Sequence, residues 1–380
     1  MKISRGLLIP VLTPLFALTT TLAHAQDGWQ AVPERTTPAN GLASATAPCP
    51  KDIEGLKGTC VYSFGGQNSD APTLDTVEAY SPATDTWRTL PGLPTARYAP
   101  AGASAPCPED VEGLEGTCVY AIGGFTGPEW PNPAFDTSTV EAYSPATNTW
   151  KTLPSLNTAR SQLAATTASC PKDVDGLKGT CVYAIGGAFG DAVEAYSPAT
   201  NQWKTLPPLN TDRDAPAGAT APCPKNVDGL KGACVYAVGG FNFTDDVLNT
   251  VEAYSPSTNQ WKAVPSMSTL RVALGGASAP CPQDVEGLKG ACVYAVGGFN
   301  FTDDALETVE AYSPSTNQWR TLPSLGTPRF ELTSTTAPCP RNDTHRSKKI
   351  CVYAIGGSPS FPFVPLRSAE ALVVDRHGRS

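Results

Sequence analysis

One unit recurs six times along this chain, marked in each copy by a glycine pair: Gly65-Gly66, Gly123-Gly124, Gly186-Gly187, Gly239-Gly240, Gly297-Gly298 and Gly356-Gly357. Successive pairs lie 58, 63, 53, 58 and 59 residues apart, close to the period of about 50 residues typical of a four-stranded repeat and longer than common helical repeats. Within the second copy, four short segments carry β-branched, aromatic or alternating residues between Gly, Pro, Ser and Asn: A (Ala101 to Ala105), B (Cys118 to Ile122), C (Val140 to Tyr143) and D (Trp150 to Leu153). Such segments read as strands. The composition agrees, because 34 Gly and 37 Pro against 2 Met suit short strands and tight turns better than helices.

Four antiparallel strands per copy predict one blade, and six copies predict an all-β, six-bladed β-propeller. The ends complement each other. Trp29-Gln-Ala-Val-Pro33 matches segment D, whereas Ala369 to Val374 matches segment C and no D follows it. The expectation is that Trp29 to Val32 pairs beside Ala369 to Val374, closing the ring and covering an open edge.

A strand ending in Gly-Gly, then a Tyr strand, then Trp and Arg, resembles the kelch repeat, and the resemblance covers residues 26 to 376. It implies that the glycine pair permits close backbone approach and that the Tyr and Trp rings pack between blades, roles that also follow from the residue types.

The twelve cysteines fall into six pairs: Cys49 with Cys60, Cys107 with Cys118, Cys170 with Cys181, Cys223 with Cys234, Cys281 with Cys292, and Cys339 with Cys351. Each pair spans one A–B hairpin, the first cysteine ending strand A and the second opening strand B, where facing Cα atoms come within disulfide range. A metal reading is weak, because the ligand spacing of zinc or EF-hand sites is absent. Disulfides fit an oxidising compartment, and residues 1 to 25 read as a secretory signal: a basic start at Lys2 and Arg5, an apolar stretch Leu7 to Leu22 broken by Pro10 and Pro14, and Ala23-His24-Ala25 for cleavage. The expected product is periplasmic or secreted, a propeller over 26–376 with a short tail over 377–380, and a monomer. Removing the signal leaves 25 basic against 35 acidic residues, a charge of −10, which argues against nucleic acid as partner, and no further apolar run suggests membrane insertion.

Strand direction puts the A–B hairpins and C–D turns on one face, and the B–C loops and D–A links on the other. One Arg recurs per link: Arg35, Arg97, Arg160, Arg213, Arg271 and Arg329. Two readings stand, a brace between blades through carbonyls or a carboxylate, and a basic ring that clamps an anionic ligand. The B–C loops diverge between copies, which is where recognition resides on a rigid scaffold. Their aromatics, Trp130 and Phe135 in the second blade, Phe243 and Phe301 in the fourth and fifth, and Phe361 with Phe363 in the sixth, are candidate stacking groups for a glycan or protein, or else fillers of the blade tops. Asn242, Asn300 and Asn342 begin glycosylation sequons.

Catalytic chemistry is poorly provided for. Of three His, one lies in the signal, leaving His345 and His377, and neither a copper oxidase of the galactose oxidase type nor a His-based triad fits that supply. The resemblance leaves one enzymatic alternative, a sialic acid mutarotase (N-acetylneuraminate epimerase), which needs Arg for a carboxylate and an acid such as Glu331 or Asp214 as base. The reading preferred from sequence is a binding module for a protein or carbohydrate, with no cofactor and no catalytic residue assigned.

Overall fold

A computed structural model describes residues 28–374 apart from 129–130, 189, 243, 245, 302 and 341–348, with only the backbone described at 303–304; the expected signal and tail lie outside these residues. Six four-stranded antiparallel sheets form the blades. In the second blade, strand A is Ala101–Pro106, B is Thr117–Ile122, C is Val140–Ser144 and D is Thr149–Leu153, hydrogen-bonded in that order. The six A strands stand side by side around a central axis. Apart from a proline ending five of them, they are built of Ala, Gly, Ser and Thr, side chains small enough for six strands to converge. Ser44, Thr46, Ser104, Thr166, Thr220 and Ser278 help to line the resulting channel, a cavity of about 290 Å³.

The expected closure is present. Gln30–Val32 pairs antiparallel with Ala369–Val373, in the register Gln30 to Ala371 and Val32 to Ala369, and supplies the D strand of the sixth blade. Side chains continue the ring across this seam. In every blade the Trp indole N–H donates to a proline carbonyl of the preceding blade, as Trp87 does to Pro33 at 2.7 Å and Trp150 to Pro91 at 2.9 Å, and Trp29 makes the equivalent bond to Pro323 at 3.0 Å. The B-strand tyrosines pack on the C-strand tyrosines of the next blade, with centroids 5.9 Å apart for Tyr62 and Tyr143 and for Tyr353 and Tyr80. Leu372 takes the tyrosine's place in the last blade and lies in one apolar cluster with Tyr294.

All six disulfides join the sequential pairs: Cys49 to Cys60, Cys107 to Cys118, Cys170 to Cys181, Cys223 to Cys234, Cys281 to Cys292 and Cys339 to Cys351, with Cα atoms 4.9 or 5.0 Å apart. Their places on the strands differ from the expectation by one residue at each end. The first cysteine lies just beyond strand A rather than in it: Cys107 follows Pro106, and its N–H donates to Gly116 at 2.9 Å. The second does not open strand B but is its second residue, since Cys60, Cys118, Cys181, Cys234, Cys292 and Cys351 follow Thr59, Thr117, Thr180, Ala233, Ala291 and Ile350. The ladder explains the shift, because Pro106 already faces Thr117 and carries the pairing one step past Ala105. Those six second cysteines are buried in the blade cores, so the disulfides are structural and offer nothing to a ligand. The proline or serine carbonyl before each first cysteine accepts the B-strand tyrosine hydroxyl, as in Tyr120 to Pro106 and Tyr183 to Ser169, both at 2.6 Å. Disulfide, tyrosine and that carbonyl therefore lock the same hairpin on what we term the staple face.

Candidate functional site: the channel mouth on the loop face

The six arginines are buried, between 0% and 3% exposed, and each lies beside a strand-C glutamate: Arg35–Glu78, Arg97–Glu141, Arg160–Glu194, Arg213–Glu252, Arg271–Glu310 and Arg329–Glu370. Arg213 shows the pattern at its fullest. Its Nη1 donates to the Gly239 and Thr250 carbonyls at 2.7 and 2.9 Å, its Nη2 to Glu252 at 3.1 Å and its Nε to Glu252 at 3.3 Å. Its own carbonyl accepts from Gly187 of the preceding blade at 3.0 Å, so one residue clamps two blades. Burial lowers the arginine pKa values and the glutamates raise them again. This is the bracing geometry, and the clamp of an anionic ligand finds no exposed guanidinium among the six.

Arg35 is not the sixth copy of this residue. The backbone partner of Gly357, the place held by Arg97 against Gly66, is the Ala39 carbonyl. Arg35 occupies the position of Leu93, as its N–H donates to Arg367 where that of Leu93 donates to Asp75. It approaches Glu78 at only 3.4 Å, and its guanidinium makes no hydrogen bond within the described structure. Four residues of register in the first link separate it from the other five.

The residue two places after the clamp lies at the channel mouth. Gly41, Ala99, Gln162, Ala215, Ala273 and Glu331 all have positive φ, between 46° and 61°. Their backbones form a closed circle in which each N–H donates to the preceding member's carbonyl, at 2.8 to 3.0 Å. Only one member is glycine, so five side chains are held in the left-handed region that costs a non-glycine residue about 1 kcal/mol or more. The circle narrows the channel and sets its side chains, with those of the neighbouring position, around the opening.

Those side chains break the sixfold uniformity. Tyr98 donates to Glu331 at 2.5 Å, and the Asn40 amide donates to the other carboxylate oxygen. With its amide nitrogen toward Asp214, Gln162 donates to both carboxylate oxygens at 2.7 and 3.0 Å, and it also bonds Tyr98. Burial pushes the Asp214 carboxyl up to about 7, helped by the charge of Asp136, and burial likewise raises Glu331 and Asp136. The Tyr98 hydroxyl is pushed well above its ordinary range by burial and by the Glu331 charge. Among the described residues, no three His, Cys, Asp or Glu side chains converge as a metal site.

On the opposite side of the mouth these polar positions become Val272 and Phe330, and a ladder of phenylalanine rings crosses the fourth, fifth and sixth blades. Phe241 meets Phe301 at 6.0 Å, Phe301 meets Phe299 at 5.2 Å, and Phe299 meets Phe361 at 5.3 Å. Phe361 then stacks on Phe330 at 4.6 Å and on Phe363 at 4.9 Å. Phe301 is 65% and Phe361 54% exposed. Polar mouth and ladder adjoin, since Asp214 bridges to Phe241 and Glu331 follows Phe330 in the chain. Phe135 stands apart, against Phe125 at 5.9 Å, while Trp130 and Phe243 lie outside the described residues. His345, His377 and Asn342 also fall outside them. Asn242 and Asn300 are buried, which leaves these two sequons without an accessible acceptor. Sequence reasoning named Glu331 and Asp214 but not Tyr98, Asn40 or Gln162, whose signal was their departure from the repeat at two link positions.

Comparison with known proteins agrees with this architecture. The Kelch motif matches residues 57–94, 116–157, 178–210, 232–268 and 290–326. Kelch-like protein 23 of Pongo abelii is 25% identical over 279 residues, covering 70% of this chain and 40% of that protein. Kelch-like protein 21 of Homo sapiens is 26% identical over 320 residues, covering 74% of this chain and 47% of its own length. The chain thus spans less than half of these relatives. A solved structure titled "Structure of YjhT" superposes with a TM-score of 0.58 at 15% identity, covering 90% of this chain and 99% of that one, a likeness of fold.

Proposed function

Because the chain belongs to the kelch-repeat family of β-propellers, we propose that it is an exported binding module whose ligand, protein or carbohydrate, rests on the loop face beside the channel mouth. The observation that carries this reading is the phenylalanine ladder. Exposed rings in contact across three blades, Phe301 and Phe361 meeting Phe299 edge to face, leave much of their surface to water, and contiguous apolar surface on a water-facing rim is characteristic of recognition sites. The scaffold suits the task, because disulfides, arginine clamps and the closed circle hold the loops' bases rigid and so reduce the ordering cost of binding. Export is supported by the basic and apolar start of the chain and by six intrachain disulfides.

The mutarotase alternative draws on Glu331 and Asp214, half-buried acids with raised pKa values. It needs a cation for the sugar carboxylate, and the exposed Arg367 is the only candidate on this face among the described residues. Screening the mature protein on peptide and glycan arrays, with a sialic acid anomerisation assay by NMR in parallel, separates the two. The binding reading expects array ligands and an anomer exchange rate equal to the buffer rate; accelerated exchange would establish the enzyme instead.

A further inference from the structure

The basic residues are partitioned between the two faces. Outside the six buried arginines, Arg367 is the single described Lys or Arg on the loop face; every other one lies in an A–B hairpin or a D strand, as Lys57, Lys178 and Lys231 do in hairpins and Arg88, Lys204 and Arg320 do on strands. Acids lie on both faces, Asp52, Glu54, Glu112, Asp173 and Glu286 being exposed in A–B hairpins beside the cations there, but on the loop face Asp70, Asp75, Asp191, Asp212, Asp246 and Glu307 are exposed with Arg367 alone among the described cations to offset them. Arg367 aside, the phenylalanine ladder is therefore set among carboxylates, and it abuts Glu331 and Asp214.

Resting on the binding reading above, we infer that the partner is a protein segment combining lysine or arginine with apolar side chains. Its apolar residues lie along Phe301 and Phe361, and a cationic side chain points to the channel mouth. An aromatic rim beside a carboxylate suits a guanidinium or ammonium in two ways, through the negative ring faces and through the carboxylate itself. The mouth offers acceptors in Glu331 and Asp214, already oriented by Tyr98, Asn40 and Gln162, so the site is preorganised. A second copy of this chain is the poorer occupant, because pairing loop face on loop face would bring the acids of both copies together on molecules already strongly acidic. An anionic glycan or acidic peptide meets the same repulsion.

The test uses the full mature protein and two amidated heptapeptide pools, one drawn from Lys, Arg, Phe and Leu and the other with Glu and Asp in place of the cations. Binding is measured by fluorescence polarisation at low and at about 0.3 M salt, where screening shortens the reach of exposed charges. The expected result is binding of the basic pool alone, weakened about 10-fold or more by Phe301→Ser, Phe361→Ser or Glu331→Gln and by the higher salt, but unchanged by Lys57→Glu on the staple face. Phe301→Ser alters an exposed ring and keeps the test valid should Glu331→Gln fail to fold. Equal binding of both pools, or binding indifferent to the three substitutions, overturns the inference. Loss of an acidic-peptide or neutral-glycan ligand on Phe301→Ser would overturn the partner chemistry while sustaining the binding reading; no ligand of any class on this face would sink both.

Discussion

Replacing Arg213 by Met should destabilise the protein far more than replacing Arg35 by Met, although both arginines are buried against a glutamate. Arg213→Met removes one partner of a buried ion pair, which costs about 3–5 kcal/mol. It also deprives the Gly239 carbonyl of its donor, whereas the Thr250 carbonyl keeps the Gly239 N–H at 3.1 Å; an orphaned acceptor is worth about 1–3 kcal/mol before water relieves it. These terms overlap, and a loss of about 4 kcal/mol is the working figure. At Arg35 the ion contact is 3.4 Å, and Glu78 keeps hydrogen bonds from the Thr36 and Thr37 amides at 2.8 and 3.0 Å. No carbonyl loses a donor there, and removing a guanidinium that lacks hydrogen bonds relieves its own desolvation, so about 1–2 kcal/mol or less is expected. Guanidinium chloride unfolding without reductant, followed by fluorescence and circular dichroism with coincident transitions, gives both values on one scale. Equal losses, or a larger one at Arg35, would refute the claim that the first link is out of register with the other five.

Ala215→Gly should stabilise the protein by up to about 1 kcal/mol, because the residue sits at φ 46° in the backbone circle; a melting temperature that falls would show the circle to be wrongly described. Deleting residues 28–34 should lower both melting temperature and solubility, since it removes the strand paired with Ala369–Val373 and the Trp29 bond to Pro323; an unchanged melting curve would deny the closure. Asp214, with its carboxyl near 7 in the folded chain against about 4 unfolded, keeps in the native state a proton that the unfolded chain releases. Its contribution to stability is therefore full below about pH 4 and declines as pH rises towards 7, being flat above. Asp136, Gln162 and the Ala215 amide face it, and Asp214→Asn should abolish that slope in pH-dependent unfolding, whereas an unaltered slope would assign it elsewhere.

Much of the architecture was legible because repetition amplifies weak signals. Six copies of a short strand beside a glycine pair leave few folds, and the stray Trp29 segment at one end matched the missing strand at the other. Hairpin spacing was enough for the disulfide partners, since an antiparallel pair dictates which residues can meet, though not for the strand ends around Cys107 and Cys118. Arg35 matches the other five arginines by residue type but not by position, and Ala39, which stands where Arg97 stands, gives no hint of it in the sequence. The backbone circle left no trace either, as Ala, Gln and Glu are not residues that advertise a positive φ. The ladder was visible only in part. Phe301 and Phe361 stand 60 residues apart in the chain, and only the folded ring brings both against Phe299.

The central claim is that the loop face recognises a ligand through its exposed rings, and the most direct measurement is array binding by the protein beside its Phe301→Ser/Phe361→Ser double variant. The account predicts ligands for the parent protein that the variant loses while melting at an unchanged temperature. Retention of the same ligands by the variant, at the same affinity, would contradict it.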